Sequence, residues 1–207
     1  MRLRKVKNAE EIISSGKYLI TPKEEYKGNY NKLFNNNNPI HIEIGMGKGD
    51  YIIESAKRNP NINYIGIERY DSPLARAIQK SNELDLPNLY LMRLNAINID
   101  NVFSKEIDTI YLNFSDPWPK DRHSERRLTS PSFLKRYDNI FKDKCHIIMK
   151  TDNNDLFTYS LDTLSEYGYD IIYINRDLPN TSDNIMTEYE KKFRGLNVKI
   201  NKLESVK

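Results

Sequence analysis

The chain is predicted to fold as an α/β protein built on a doubly wound, mostly parallel sheet of seven strands. Three observations lead there. Seven short β-rich runs recur along the 207 residues, and segments of helical spacing separate most of them. Strands alternating with helices of that length are the pattern of βαβ units. Runs such as "YIGI" and "HIIM" are apolar without alternation, as strands covered on both faces are. A glycine cluster directly follows the first run of the main domain, at the strand end where open parallel sheets bind ligands.

Residues 1–38 read as a basic N-terminal extension with one or two helices, carrying Arg2, Arg4, Lys5 and Lys7. Pro22 stands where an N1 proline would open a helix through "PKEEYKGNYNKLF". The run Asn35 to Asn38 is a loop before the first strand. A single domain, residues 39–207, then begins with strand Ile40–Ile44 and helix Asp50–Arg58. Strand Tyr64–Glu68, helix Ser72–Leu84 and strands Leu89–Arg93 and Thr109–Phe114 follow. Helix Pro131–Phe141, strand His146–Lys150 and helix Asn154–Tyr167 come next, and strands Asp170–Ile174 and Val198–Leu203 complete the sheet. The shorter, polar connection between the last two strands suits an antiparallel edge.

Composition excludes several classes. With 38% hydrophobic and 29% charged residues the chain is globular rather than disordered, and its net charge of +3 is only mildly basic. Nucleic-acid binding must therefore be argued from local clustering. The lone cysteine, Cys145, rules out an internal disulfide, fits a reducing cytoplasm, and lies in the apolar run "CHIIM" as a buried structural thiol would. No apolar run approaches the ~20 residues that span a membrane, and the basic N-terminus lacks the apolar core of a secretory signal. A soluble cytoplasmic protein, monomer or homodimer, is expected, with no metal.

The glycine loop reads "IHIEIGMGKGDYIIE", placing Gly45, Gly47 and Gly49 at alternate positions. Glycines there allow positive φ and close approach of backbone amides to a ligand. The spacing departs from the dinucleotide fingerprint, and no phosphate-cradling P-loop is present. Glu43, two residues before the first glycine, would repel a pyrophosphate but attract an ammonium or sulfonium group. An acidic residue followed by alternating glycines is the signature of an S-adenosylmethionine site. Glu68 ends the second strand about twenty residues after the loop, where a carboxylate can accept both ribose hydroxyls. Asn95 ends the third, where an amide can pair with adenine.

The fourth strand runs into "NFSDPWPKDRHSERRL". Asp116 falls where the reactive methyl would point, and Pro117 and Pro119 restrict the backbone around Trp118. Trp118 reads either as a packing residue or as a platform for a base. Lys120, Arg122, Arg126, Arg127, Lys135 and Arg136 then crowd the same end of the sheet, which suits a polyanionic acceptor. A small-molecule methyltransferase would not need that cluster, and a pure nucleic-acid-binding protein would not need the intact acid and glycine loop.

Together "EIGMGKG", "NFSDPWPKDRHSERRL", "KTDN" (Lys150 to Asn153) and "TEYE" (Thr187 to Glu190) resemble the bacterial tRNA (guanine-N7)-methyltransferase family over nearly the whole chain. The resemblance implies a single seven-stranded S-adenosylmethionine-dependent methyltransferase domain that forms 7-methylguanosine in the variable loop of tRNA. It implies Glu43, Glu68, Asn95 and Asp116 on the cofactor side, with Asp116 catalytic. It implies substrate contacts for Lys120, Asp152 and the segment Thr187 to Glu190, while Arg122, Arg126 and Arg127 would hold the RNA backbone. Asn95 departs from the pattern, since many relatives have aspartate there. Thr187 followed by Glu190 is also the spacing of a helix capping box.

Overall fold

The computed structural model describes residues 6–207, so Arg2, Arg4 and Lys5 of the expected basic extension lie outside the described residues. Sixteen helices and strands alternate along them. They are α1 (Ala9–Ser14), β1 (Leu19–Ile20), α2 (Tyr30–Phe34), β2 (Ile40–Ile44), α3 (Asp50–Arg58), β3 (Asn63–Glu68), α4 (Asp71–Asn82) and β4 (Leu89–Arg93). Then follow α5 (Ile99–Val102), β5 (Ile107–Asn113), α6 (Pro131–Ile140), β6 (Phe141–Thr151), α7 (Asn154–Glu166), β7 (Asp170–Asn175), α8 (Glu188–Arg194) and β8 (Asn201–Val206). Local chemistry accounts for the longer helices. Asp50 opens α3 and Lys57 and Arg58 close it, each matching the helix dipole. Pro131 sits in the first turn of α6. At α7 the Asn153 side chain accepts from the Leu156 amide at 2.7 Å.

The strands order as β1-β4-β3-β2-β5-β6-β8-β7. All pairings from β1 to β6 are parallel, and β8 inserts antiparallel between β6 and β7. Two apolar layers enclose the sheet. Ile52, Ile53 and Ala56 of α3 pack with Leu74, Ala75 and Ile78 of α4 on one side. On the other, Phe103, Leu134, Tyr137 and Phe157 pack against Ile42, Ile110 and Ile147. This is the expected doubly wound α/β architecture, with eight strands where seven were expected.

The extra strand comes from the extension. Leu19 and Ile20 pair with Leu91 and Met92 of β4, and Tyr30 and Phe34 of α2 are buried in the core. Pro22 opens no long helix. A short 3-10 turn at Glu24–Tyr26 is separated from α2 by Gly28, whose φ of 74° a helix cannot accommodate. The last strand also lies three residues later than expected, at Asn201–Val206, because Asn201 pairs with Thr151 at the end of β6. Cys145 lies in β6 but is half-buried.

The Glu106 carboxylate ties the extension down. It accepts from the amides of Gly28 at 2.8 Å, Tyr30 at 2.9 Å and Ser104 at 3.1 Å, and is 6% exposed. Removing it strands amides that have no other partner among the described residues. Glu106→Ala is expected to cost about 3 kcal/mol, read as a lowered urea midpoint at unchanged m-value.

Candidate active site

A cleft of about 1010 Å³ opens at the C-terminal ends of β2, β3, β4 and β5, walled on its far side by α8. Its floor is Glu43, which is 1% exposed. Asn113, at the end of β5, donates its amide to Glu43 Oε1 at 2.8 Å, while Oε2 is buried without a partner. Burial pushes the Glu43 carboxyl up to about 8, with Asn113 and Lys150 opposing the shift.

The glycine loop folds over that floor. Gly45, Gly47 and Gly49 have φ of 76°, 59° and 76°, values that strain any residue with a side chain. The amides of Gly45 and Met46 donate to the Ile67 carbonyl, and that of Gly47 donates to Glu68 Oε2 at 3.0 Å. Space beside the Gly45 and Gly47 α-carbons is open, so a side chain there would project into unfilled volume. Gly49 works differently. A Cβ there would lie 3.0 Å from the Ala77 Cβ, and the residue does not border the cleft; it lets α3 and α4 pack closely.

Glu68 is 6% exposed and also accepts from the amides of Arg69 and Tyr70. Burial pushes its carboxyl up to about 7, and the negative charge of Asp116 across the cleft acts in the same direction. Asn95 lines the cleft, its side-chain oxygen accepting from Ile97 N at 3.3 Å.

Asp116 is exposed on the cleft wall between two strained residues, Phe114 (φ 55°) and Trp118 (φ 43°). Left-handed backbone at bulky residues costs about 1–3 kcal/mol each and persists only where the surroundings impose it. Trp118 meets the Arg126 guanidinium 4.9 Å from its ring centre and the His123 ring edge-on at 5.8 Å. Arg126 lines the cleft, while Lys120 and Arg122 are exposed beyond its wall.

Two residues expected to face substrate are turned inward. Arg127 is 9% exposed, donating to the carbonyls of Pro117 and Trp118 at 3.1 Å each, with its guanidinium 4.2 Å above the Tyr159 ring. Glu190 is fully buried, accepting from Lys150 Nζ at 3.0 Å, Asn184 Nδ2 at 2.7 Å and Arg194 Nε at 2.9 Å. A carboxylate so enclosed anchors α8 to β6. Only half of the capping box forms: Thr187 Oγ1 accepts from Glu190 N at 2.9 Å, while the Glu190 carboxylate is drawn to Lys150.

Thr187 itself lines the cleft with Tyr189 and Phe193 of α8, whose rings stack at 4.2 Å. Tyr189 also meets Phe114 at 5.1 Å and donates its hydroxyl to Asp152 Oδ2 at 3.3 Å, which brings Asp152 to the edge of the site. Phe114 and Asn113 escaped the sequence reading, whereas Tyr189 falls within the expected segment Thr187 to Glu190. The signal available for Asn113 was an amide ending an otherwise apolar strand.

The residues present suit S-adenosylmethionine. A buried carboxylate oxygen without a partner, an open glycine cradle and a second carboxylate on the adjacent strand surround one volume. The raised carboxyls also carry a stability consequence. Between the unfolded value near 4.5 and about 7 to 8, the folded protein holds protons that the unfolded chain has released, so stability falls as pH rises. His41, lowered by burial to about 4, acts oppositely but only up to its unfolded value of 6.5. The melting temperature of the ligand-free protein should therefore decline from pH 6.5 to 8. Glu43→Gln should flatten that decline in a pH series of thermal melts, each carboxyl contributing at most about 1.4 kcal/mol per pH unit.

Residues 37–203 match the family described as "Putative methyltransferase". Among curated proteins, the tRNA (guanine-N(7)-)-methyltransferase of Lachnoclostridium phytofermentans is 49% identical over 207 residues, covering 98% of this chain and 97% of that one. Those of a Geobacillus species and of Bacillus subtilis are 52% and 45% identical, covering 93% and 99% of this chain and 90% and 98% of theirs. Solved structures share the fold at low identity. The 16S rRNA methyltransferase KamB superposes with a TM-score of 0.72 at 11% identity, covering 92% of this chain and 96% of that one. An antibiotic-related methyltransferase gives 0.67 at 17%, covering 91% and 95%. With relatives this similar along its whole length, the chain belongs to the tRNA (guanine-N(7)-)-methyltransferase family.

Proposed function

We propose that this enzyme methylates N7 of a guanosine in the variable loop of tRNA, forming 7-methylguanosine, with S-adenosylmethionine as donor. The observation that carries the reading is the junction of Asp116 with the basic segment. The carboxylate stands on the wall of the cofactor cleft, and Lys120, Arg122 and Arg126 continue outward from it. When bound, the cofactor supplies an electrophilic sulfonium methyl group. Glu43 would face its cationic amino-acid end, Glu68 its ribose hydroxyls and Asn95 its adenine.

Guanine N7 carries an in-plane lone pair and no proton, so no side chain need act as a base toward it. The protein's task is alignment, together with accommodation of positive charge on the product ring. Asp116 can accept from the guanine N1–H and N2–H groups, a pair of donors that adenine does not present. Asp152, held by the Tyr189 hydroxyl, is the second acceptor for the same edge. The stacked Tyr189 and Phe193 and the neighbouring Phe114 suit a base drawn out of its stack. Exposed Lys120 and Arg122 and rim-lying Arg126 suit the RNA phosphates.

The reading includes a monomer or a homodimer acting on tRNA. No described helix is long and apolar enough to cross a membrane, and a tRNA substrate with an unpaired cysteine supports a cytoplasmic location.

The test is mass spectrometry of nucleosides from unmodified tRNA incubated with the protein and S-adenosylmethionine. A 7-methylguanosine signal that disappears when the variable-loop guanosine is replaced by adenosine supports reaction, base and place together. No methylated nucleoside in the presence of demonstrated cofactor binding would direct the search to other acceptors. Asp116→Ala is expected to leave cofactor affinity near wild type by calorimetry and to lower kcat about 10²–10³-fold. A loss confined to cofactor affinity would make Asp116 a cofactor ligand instead.

A further inference from the structure

Among the basic residues beyond Asp116, Arg127 alone combines burial with bonds to the turn itself. Its Nε donates to the Pro117 carbonyl and its NH2 to the Trp118 carbonyl, both at 3.1 Å, while Tyr159 lies 4.2 Å beneath the guanidinium. Those carbonyls sit in a turn flanked by Pro117 and Pro119, which have no amide hydrogen, and Trp118 holds φ at 43°. Neither a helix nor a sheet ladder can satisfy such a turn. A planar guanidinium can, because its fixed fork reaches two neighbouring oxygens at once. At the other end, the Phe114 amide donates to the Lys150 carbonyl at 2.8 Å, with φ of 55°. Asp116 therefore hangs between two fixed points, one of them supplied by Arg127.

We propose that Arg127 is a positioning residue for Asp116, clasping the Asp-Pro-Trp-Pro turn from inside, and not a contact to RNA phosphate. The proposal rests on the tRNA-methylating reading for its kinetic test and on the sole tryptophan, Trp118, for a test independent of activity. A phosphate contact needs only a positive charge at this position, whereas a clasp needs the fork, so Arg127→Lys separates the two.

The lysine variant should lower kcat at least tenfold. Cofactor affinity should stay within twofold of wild type, and the slope of log affinity for tRNA against log salt should not change. Arg122→Ala, the exposed comparison, should instead reduce that slope by about 1. Trp118 emission should shift to the red and become easier to quench with acrylamide in Arg127→Lys. Wild-type kcat in the lysine variant, or a salt slope reduced by about 1 in Arg127→Met with unaltered Trp118 emission, would overturn the clasp. If wild-type protein methylates no tRNA, the function fails while Trp118 emission still decides the clasp. Should Arg127→Lys not fold, Tyr159→Leu, which removes only the ring under the guanidinium, gives the same reading: a red-shifted Trp118 supports the clasp and an unaltered one overturns it.

Discussion

The parallel pairing of β2 with β3 on one side and β5 on the other governs everything built at the sheet's C-terminal edge. The chain leaves β2 through α3 toward one face, whereas β5 is followed by α6 on the opposite face. Loops leaving adjacent strands in opposite directions cannot close over the strand ends, and a crevice results. Glu43 sits at the bottom of that crevice, where its partly unsatisfied carboxylate costs stability when ionised. The surrounding isoleucine-rich strands carry the cost, and a ligand that completes the carboxylate's bonding removes it.

The remaining walls are held by charges that never meet solvent. Lys150 at the end of β6 is 3% exposed and donates to Asn184 Oδ1, to the Ile185 carbonyl and to Glu190. Such a buried pair is a poor source of stability, since desolvation consumes most of the attraction. It does specify geometry, because any other placement of α8 would leave the buried Lys150 charge without the Glu190 carboxylate. The cleft thus has one wall made by the backbone of the glycine loop and another, α8, held in place by an ion pair behind it, with the strained Asp116 turn between them.

Much of this was legible in the residues and some was not, for reasons that differ by element. The glycine loop, Glu43 and Glu68 could be read because strand, turn and acid are consecutive in the chain, and their relation is local. Arg126 and Arg127 are adjacent and chemically identical, yet one faces the cleft and the other the interior. That choice depends on the positive φ at Trp118 and on Tyr159, which arrives from α7, and no spacing encodes either. The burial of Glu190 was hidden for a similar reason: its capping position is local, but Lys150 reaches it from forty residues away. Strand β1 has two residues, too few for any periodicity to register.

That short strand has a practical consequence for anyone shortening the protein. The family match begins at residue 37, which makes the preceding segment look dispensable. Removing it would uncover the outer side of β4, leaving the Leu91 amide without the Tyr18 carbonyl it donates to and a hydrophobic hollow where Tyr30 and Phe34 had been. An exposed apolar strand margin invites another copy to pair with it. The trimmed protein would then be lost to aggregation rather than to any defect in chemistry.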